Sequence, residues 1–456
     1  MSKETVDIAA LVSEDGSVQD RRIYWDRDVY DLELERIFAR CWLFLGHENA
    51  LEKPGDFFTT FMGQDRVIVS RGKDGKINAF TNSCRHRGNL LCAADSGNAR
   101  SFVCNYHGWV YGLDGSLVDV PLESEAYYNK IDKSQWGARR VAQLESYRGF
   151  IFATFDPQAP PLTEYLGDMA WHLDCFMDVP GGAELLGPPI KVRVKANWKL
   201  FAENFAGDWY HVGWTHGGGA TAIGNPFDVV VGNGLCLPGY QFASSFGHGY
   251  AAAVPPDGSI PSMHQRDTKR LYDEYMQARR PAVRDKLGPE RSTLHDAIWD
   301  ATIFPTCSFL RGIDTWKVWQ PRGPHELDIW TWVLVERDMS PELKQMIRHS
   351  SELTFGAAGI FEGDDGENME GCTWGGEGFI TRQEPLYLGM GQGKESRSDG
   401  HPGTVHADHA CGEIPQRNLM RFWRTMMLAK SWDEVRAQES ELVSRRERFA
   451  TRPAAA

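Results

Sequence analysis

The sequence predicts an α+β chain in which a small all-β domain precedes a larger antiparallel sheet carrying helices. Three observations predict it. Between residues 57 and 155 the chain runs in short strand-like stretches separated by turn signals. DPQAPP at 156–161 can continue neither a strand nor a helix and reads as a linker. Beyond residue 190, strand-like and helical runs are mixed, the pattern of a sheet with helices packed on it. The expected division is an N-terminal segment at 1–40 that packs on the larger domain, a β domain at 41–157 and the larger domain at 158–456.

The elements follow in order. Residues 28–42 carry apolar side chains at helical spacing. FFTTFM, RVIVS and INAF read as strands, with the KDGK hairpin signal at 73–76. SFVC, WVYGL and SLVDV continue that style, and YRGFIFATF (147–155) reads as one strong strand. IKVRVK (190–195) is a strand leading into the mostly helical NWKLFAENFAGDWYHVGWTH (197–216). Gly and Pro between 217 and 262 predict long loops over a site. LYDEYMQARRPAVRDKL is helical, DTWKVWQ and LDIWTWVLVER are strands, and 341–355 and 415–448 are helices before a frayed tail.

Composition narrows the function. The 456 residues allow two or three domains, and 42% hydrophobic with 24% charged residues is a globular balance. A net charge of −13 argues against a nucleic-acid partner, since phosphate binding needs concentrated positive charge. No run approaches the roughly 18 apolar residues of a membrane span. The N-terminus lacks the basic-then-apolar order of a signal peptide, so a cytoplasmic location is expected. Nine scattered cysteines do not make a disulfide framework, so clustered Cys and His read as metal ligands.

The first cluster is Cys84, His86, Cys104 and His107. One Cys and one His stand in each of two loops, with Gly88 and Gly108 allowing tight turns. Two thiolates and two imidazoles suit a tetrahedral Zn²⁺ or a [2Fe–2S] cluster with the two Cys on one iron and the two His on the other. Structural zinc usually groups like ligands in one finger, and here each finger mixes them, which disfavours zinc. The plain alternative is core cysteines beside unrelated loop histidines. Cys92 fits no spacing and reads as a buried small hydrophobe, and Trp109 and Arg87 as packing and solvated charge, or as a docking surface.

The second cluster is Asp208, His211 and His216, with the distant Asp364-Asp365 pair. Five residues turn a helix through about 500°, or about 140° net, so the two His meet only if the helix widens or breaks, as near Gly213. Two His and one carboxylate form the facial triad of non-haem Fe(II) oxygenases, which leaves one side of the metal open. An acid three residues before His211 can also take its second N–H and set its tautomer. The plain alternatives are surface histidines on an amphipathic helix and a solvated Asp-rich turn.

CRHRG (84–88) and CNYHGW (104–109) resemble the Rieske motif of aromatic-ring-hydroxylating oxygenases. ENFAGDWYHVGWTH (203–216) and FEGDDGENM (361–369) resemble the mononuclear-iron motifs of their large (alpha) subunits, of the naphthalene, biphenyl and phenylpropionate dioxygenase type. The resemblance runs from about residue 22 to 448 and fills all seven ligand positions. It implies a Rieske domain before a helix-grip (START-like) catalytic domain, with Cys84, His86, Cys104 and His107 on the cluster and His211, His216 and Asp365 on Fe(II). It implies that Asp208 bridges to His107 of a neighbouring subunit, that Asn204 orients the iron site, and that Phe205, Val212, Phe355 and Phe361 line the pocket. Cys307 and Phe309 are further pocket candidates. Trp209 is bulkier than some relatives carry beside the bridging acid.

The implied reaction is cis-dihydroxylation of an aromatic ring with O₂ and two electrons. The electrons come from NAD(P)H through a separate flavin reductase, a ferredoxin or both, to a homotrimer of alpha subunits with a small beta subunit (α₃β₃). No Gly-rich dinucleotide fingerprint follows a strand here, in keeping with an external reductase. The ligand motifs contain no Arg or Lys to clamp a carboxylate, which favours hydrocarbons over acids, although Arg311 leaves acids open. The competing readings are a monooxygenase or demethylase acting on an aromatic compound or aromatic acid, a zinc-binding or electron-transfer subunit, and a regulatory ligand-binding protein.

Overall fold

The structure is a computed structural model describing residues 6–222, 238–254, 258–260, 262–398, 400–406 and 410–450. It divides into two units, residues 38–162 and the remainder of the chain.

The smaller unit is all β apart from a few single turns. Ile77–Thr81, Asp65–Arg71, Asp56–Met62 and Ser96–Asn98 lie side by side in one antiparallel sheet. Phe102–Val103, Val110–Tyr111 and Leu117–Asp119 form a second, and Gln143–Tyr147, Phe150–Thr154 and Leu43–His47 a third. Phe57, Ile68, Phe80, Phe102, Trp109 and Tyr111 fill the core with both cluster cysteines. The single strand expected at 147–155 is instead a hairpin: Tyr147 pairs with Phe150 across Arg148 and Gly149. Both turn residues have positive φ (52° and 93°), as the tight turns that match strand twist require.

Among the described residues of the larger unit, nine antiparallel strands form one sheet. They are β1 (Ala183–Val194), β2 (Gly239–Ala243), β3 (Gly249–Ala253), β4 (Ile298–Ile303), β5 (Cys307–Arg311), β6 (Thr315–Gly323), β7 (Glu326–Glu336), β8 (Ser396–Ser398) and β9 (His401–His406), in the order β1-β7-β6-β5-β4-β3-β2-β9-β8. The helices that matter here are α1 (Trp198–Asn204), α2 (Val212–Thr215), α3 (Arg266–Leu287), α4 (Pro341–Phe355), α5 (Ile360–Gly375) and α6 (Ile414–Leu428).

Residues directly opposite in neighbouring strands point to the same face. Ala251, Asp300, Thr302, Ser308 and Lys317 therefore share one face. Thr302 donates from that face to the Ala202 carbonyl in α1, so α1 covers it. Trp299, Phe309 and Trp316 share the other face, where Phe309 packs 4.7 Å from Phe176 of the helix Asp168–Met177.

The N-terminal residues join the larger unit through a buried charge. Glu33 accepts from Lys199 Nζ at 2.6 Å and from the indoles of Trp198 and Trp423 at 2.9 and 2.7 Å. Both ionic partners are fully buried. Removing one would strand the other charge, a loss of about 3–5 kcal/mol. The clasp holds the first turn of α1, the helix that ends at Asn204.

Three expectations need correction. The loops expected at 217–262 contain a short helix (Gly217–Ala222) and the strands β2 and β3, while 223–237 lie outside the described residues. GYQFA and GYAAA read as loops because Ala and Gly have weak strand preference. Those small residues leave room for chain packed against them. The helix expected at 415–448 stops at Leu428 and restarts at Trp432. Ser431 Oγ accepts from the Glu434 amide, and Glu434 reaches back to the Lys430 amide, a start signal visible as SWDE. The helix over 197–216 breaks at 205–211, centred on Gly207 (φ +127°), and Gly213 lies inside α2 instead.

Candidate metal centres

The smaller unit brings Cys84, His86, Cys104 and His107 together on two matching turns. In each, a glycine amide closes back on the cysteine carbonyl: Gly88 on Cys84 at 2.8 Å and Gly108 on Cys104 at 2.9 Å. Both glycines have positive φ, 75° and 74°. Both cysteines are buried and free, and close enough for their thiols to hydrogen-bond. The two imidazole rings lie 4.5 Å apart. His107 is exposed, whereas His86 is half-buried and stacks on Trp109 at 5.2 Å. His86 Nδ1 is sealed from solvent without a hydrogen-bond partner. A buried ring nitrogen left unpaired is unusual, and a metal ion is a direct explanation.

Two further residues address the thiols. Tyr111 Oη lies 3.4 Å from Cys84 Sγ, and Asn89 Nδ2 lies 3.7 Å from Cys104 Sγ. Neither was singled out in the sequence. A tyrosine in a strand pattern carries one signal: when buried, its hydroxyl needs a partner. Trp109 is packing, Arg87 is exposed, and Cys92 is half-buried at the edge of the core.

In the larger unit the break at Gly207 lets His211 and His216 converge. A Cβ on Gly207 would stand 2.6 Å from the Ala251 amide nitrogen, so only glycine lets the chain lie this close to β3. α5 supplies the carboxylate: Phe361, Asp365 and Met369, one turn apart, form its buried stripe.

His216 Nε2 is 3.1 Å from Asp365 Oδ1, His211 Nε2 is 3.4 Å from the same oxygen, and the two nitrogens are 3.2 Å apart. Ligands at right angles and about 2.1 Å from one ion stand about 3 Å apart, so this triangle fits a single small cation. Asp365 Oδ1 is buried and no hydrogen bond satisfies it. Burial pushes the Asp365 carboxyl up, but the two imidazoles outweigh that and hold it well below the usual range. Burial pushes His211 down, yet Asp208 and Asp365 together raise it well above its ordinary value. The negative charge that favours a proton on His211 favours a cation equally.

The far nitrogens of the two rings are held as well. His211 Nδ1 meets the Asp208 main-chain oxygen and lies 3.4 Å from the Asp208 carboxylate. His216 Nδ1 lies 3.3 Å from Asp364 Oδ2. The paired acids thus divide: Asp365 faces the common point, and Asp364 steadies His216, a role not assigned from the sequence. The Asn204 amide lies 3.3 Å from His211 Nδ1 and 3.5 Å from His211 Nε2, against the imidazole that carries one of the three ligand nitrogens.

Phe205, Phe355 and Phe361 form a continuous strip, with ring centroids 6.1 and 5.8 Å apart, and Phe361 reaches His216 at 5.0 Å. Val212 is half-buried between the two His. Cys307 and Phe309 point to the opposite face of the sheet, because strand alternation puts Ser308 and Leu310 on this one. Arg311 also belongs to the opposite face, buried with Asp314 at 3.0 Å and Glu336 at 3.7 Å. Among the described residues no helix is long and apolar enough to cross a membrane.

Comparison with known proteins agrees with both centres. Residues 41–147 match the Rieske [2Fe-2S] domain, and 162–428 match the ring hydroxylating alpha subunit (catalytic domain). The chain is 40% identical to the large oxygenase component of the naphthalene 1,2-dioxygenase system of Pseudomonas putida, over 93% of this chain and 94% of that protein. It is 37% identical to the benzene 1,2-dioxygenase alpha subunit of Pseudomonas putida, over 95% and 96%. A crystal structure of a naphthalene 1,2-dioxygenase mutant bound to phenanthrene superposes with a TM-score of 0.91 at 38% identity, covering 97% of this chain and 98% of that one. The cofactors of this architecture are a Rieske [2Fe–2S] cluster and a mononuclear iron that works with O₂. The chain belongs to the alpha subunits of the Rieske ring-hydroxylating dioxygenases, the large oxygenase components of systems that need electron-transfer partners.

Proposed function

We propose that this chain is the terminal oxygenase that uses O₂ and two externally supplied electrons to cis-dihydroxylate an aromatic ring. The observation that carries the reading is the triangle of His211 Nε2, His216 Nε2 and Asp365 Oδ1 beside the aromatic strip. When bound, ferrous iron supplies the site for O₂ reduction, and the cluster supplies electrons one at a time. His211, His216 and Asp365 would hold that ion, and three protein ligands would leave it positions for the reactants. Asp208 and Asp364 hold the imidazoles in one tautomer. Phe205, Phe355 and Phe361, with Val212, offer an apolar wall for a flat ring.

A hydrocarbon fits better than an aromatic acid. The buried Lys317 on the site's face of the sheet is engaged by Glu362 and Thr331, and Arg311 lies on the opposite face, engaged by Asp314 and Glu336. Asp208 also suits a bridge to His107 of a neighbouring subunit. Its side chain is 33% exposed, and Tyr210 and Trp214 beside it are exposed large aromatics of the kind that subunit interfaces cover. On this reading the active form is a ring of three alpha subunits, with a small beta subunit, fed from NAD(P)H by a flavin reductase, a ferredoxin or both, in the cytoplasm. The test is anaerobic reduction followed by single turnover with ¹⁸O₂ against a panel of aromatics. Two labelled oxygens in a cis-diol are expected; a single labelled oxygen would make the chain a monooxygenase or demethylase.

A further inference from the structure

Trp209 and Asp300 lie outside the ligand set, yet they tie it to the sheet. Trp209 belongs to the break between α1 and α2, two residues before His211 and next to Asp208. Its indole N–H donates to Asp300 Oδ1 at 2.6 Å and lies 3.3 Å from the Ala251 carbonyl oxygen. Asp300 and Ala251 are direct neighbours on β4 and β3. The ring shares a buried apolar cluster with Ala251, Ala253, Ile298, Ala410 and Cys411, most of them small. Gly207 presses on the same Ala251. The turn that carries Asp208 and His211 is therefore seated on two strands at two points, and at that seat the indole N–H is shared between the Asp300 carboxyl, at the shorter distance, and the Ala251 carbonyl.

Asp300 is a costly residue to place there, since a buried acid needs compensation. No cation pairs with it among the described residues. Burial pushes its carboxyl well above the usual range in spite of the nearby His211 charge and the Trp209 donor. What the geometry asks of the side chain is one oxygen that accepts the indole N–H, a task that an amide of the same shape also performs.

We propose that Trp209 and Asp300 act as a latch that positions the Asp208–His211 turn for iron binding. The latch makes both residues positioning residues: they stand outside the His211, His216 and Asp365 triangle and act on the metal through His211. The inference rests on the functional reading above only through His211 as a ligand, and is independent of the reaction product.

The test uses the full chain with its cluster oxidised and its mononuclear site emptied by a chelator, then titrated with ferrous iron. Affinity and the electron paramagnetic resonance signal of the ferrous–nitric oxide adduct are read for Trp209→Phe, Asp300→Leu and Asp300→Asn. Trp209→Phe and Asp300→Leu are expected to weaken iron binding about tenfold and to change the rhombicity of the signal. Asp300→Asn is expected to match wild type, and all three to keep the visible spectrum of the cluster. Wild-type affinity and signal in Trp209→Phe and Asp300→Leu would overturn the latch. So would Asp300→Asn falling as far as Asp300→Leu, since that would make the charge, not the acceptor, the working feature. If Asp300→Leu does not fold, Trp209→Phe decides alone. A singly labelled product from wild type would sink the dihydroxylation reading and leave the affinity series to judge the latch.

Discussion

The two centres of this chain each bring two histidines to one place, and they do so by opposite means. The cluster site is local. Two short turns of the same design each present a Cys and a His, and a glycine amide closes each turn on its own cysteine. The iron site is assembled at long range. Its carboxylate comes from α5, some 150 positions beyond the histidines, and the histidines converge only because β3 receives the broken helix at Gly207. A local site depends on the conformation of its own residues. A long-range site depends on the packing beneath it, so it should be sensitive to residues far from any ligand.

The largest effects fall on the ligands and should separate the centres completely. His211→Ala is expected to lose mononuclear iron and all turnover while keeping the visible spectrum of the cluster. Cys84→Ser is expected to bleach the cluster and leave ferrous binding at His211, His216 and Asp365 intact. Iron counting with absorption spectroscopy checks both; loss of both metals in either variant would mean the centres do not fold independently. Asp208→Asn is expected to retain both metals and to slow turnover by about 100-fold or more, because it weakens the hold on His211 Nδ1 and the proposed path to the neighbouring cluster. Mixing reduced protein with O₂ and following reoxidation of the cluster reads that step directly, and full activity would refute the bridge.

The same contrast explains what was legible in the sequence. CRHRG and CNYHGW carry ligands and turn glycines within five or six residues of each other, so the cluster could be read directly. The ligands at 211, 216 and 365 were readable as a motif, but the physical device that joins them was not. Gly213 is the breaking point that spacing suggests, whereas Gly207 is the one found, because Gly207 lies against a strand, and that strand, GYAAA, reads as a loop. Asp364 could not be separated from Asp365 by spacing. On a helix adjacent residues diverge by about 100°, and it is tertiary packing that buries Asp365 against both imidazoles and leaves Asp364 to His216 Nδ1 alone. Cys307 and Phe309 were misplaced for a related reason: strand alternation separates faces, but which face receives α1 is a tertiary fact.

Outside the ligands the expected effects are smaller and differ in kind. Asp364→Asn removes the charge beside His216 Nδ1 and is expected to weaken ferrous binding by about tenfold without touching the cluster. Its counterpart in the smaller unit is Tyr111→Phe, which removes the hydroxyl beside Cys84 Sγ. Hydrogen bonds to cluster sulfurs favour the reduced state by offsetting its extra negative charge. The variant should therefore have a lower reduction potential and unchanged ferrous affinity. A redox titration beside a ferrous titration checks both, and an effect of Tyr111→Phe on iron affinity would contradict the separation of the two sites.

The last effect concerns stability against pH, leaves metal binding and turnover aside, and belongs to the larger unit alone. Glu203 immediately precedes Asn204 in α1, and burial, with Asp208 and Glu413 nearby, pushes its carboxyl up to about 8 despite the Tyr24 hydrogen bond. The geometry agrees. Tyr24 Oη lies 2.7 Å from Gln19 Oε1 and 2.9 Å from Glu203 Oε2, and has one proton for two oxygens. If the tyrosine donates to Gln19, then Glu203 must hold its own proton and donate to the tyrosine. A carboxyl that stays protonated in the folded chain but ionises in the unfolded chain lowers stability as pH rises. Below the unfolded value near 4.5 both states are protonated and nothing is lost. Between there and about 8 the unfolded state gains progressively, and above 8 the loss is complete. Glu203→Gln keeps the hydrogen bond without titrating, so its melting temperature should fall less than wild type between pH 5 and pH 8.5. The comparison must be made between the two proteins, since every other group titrates alike in both. Parallel melting curves across that interval would mean that Glu203 is already ionised in the folded chain. Tyr24 would then donate to Glu203, and the Gln19 oxygen would have to find its proton elsewhere.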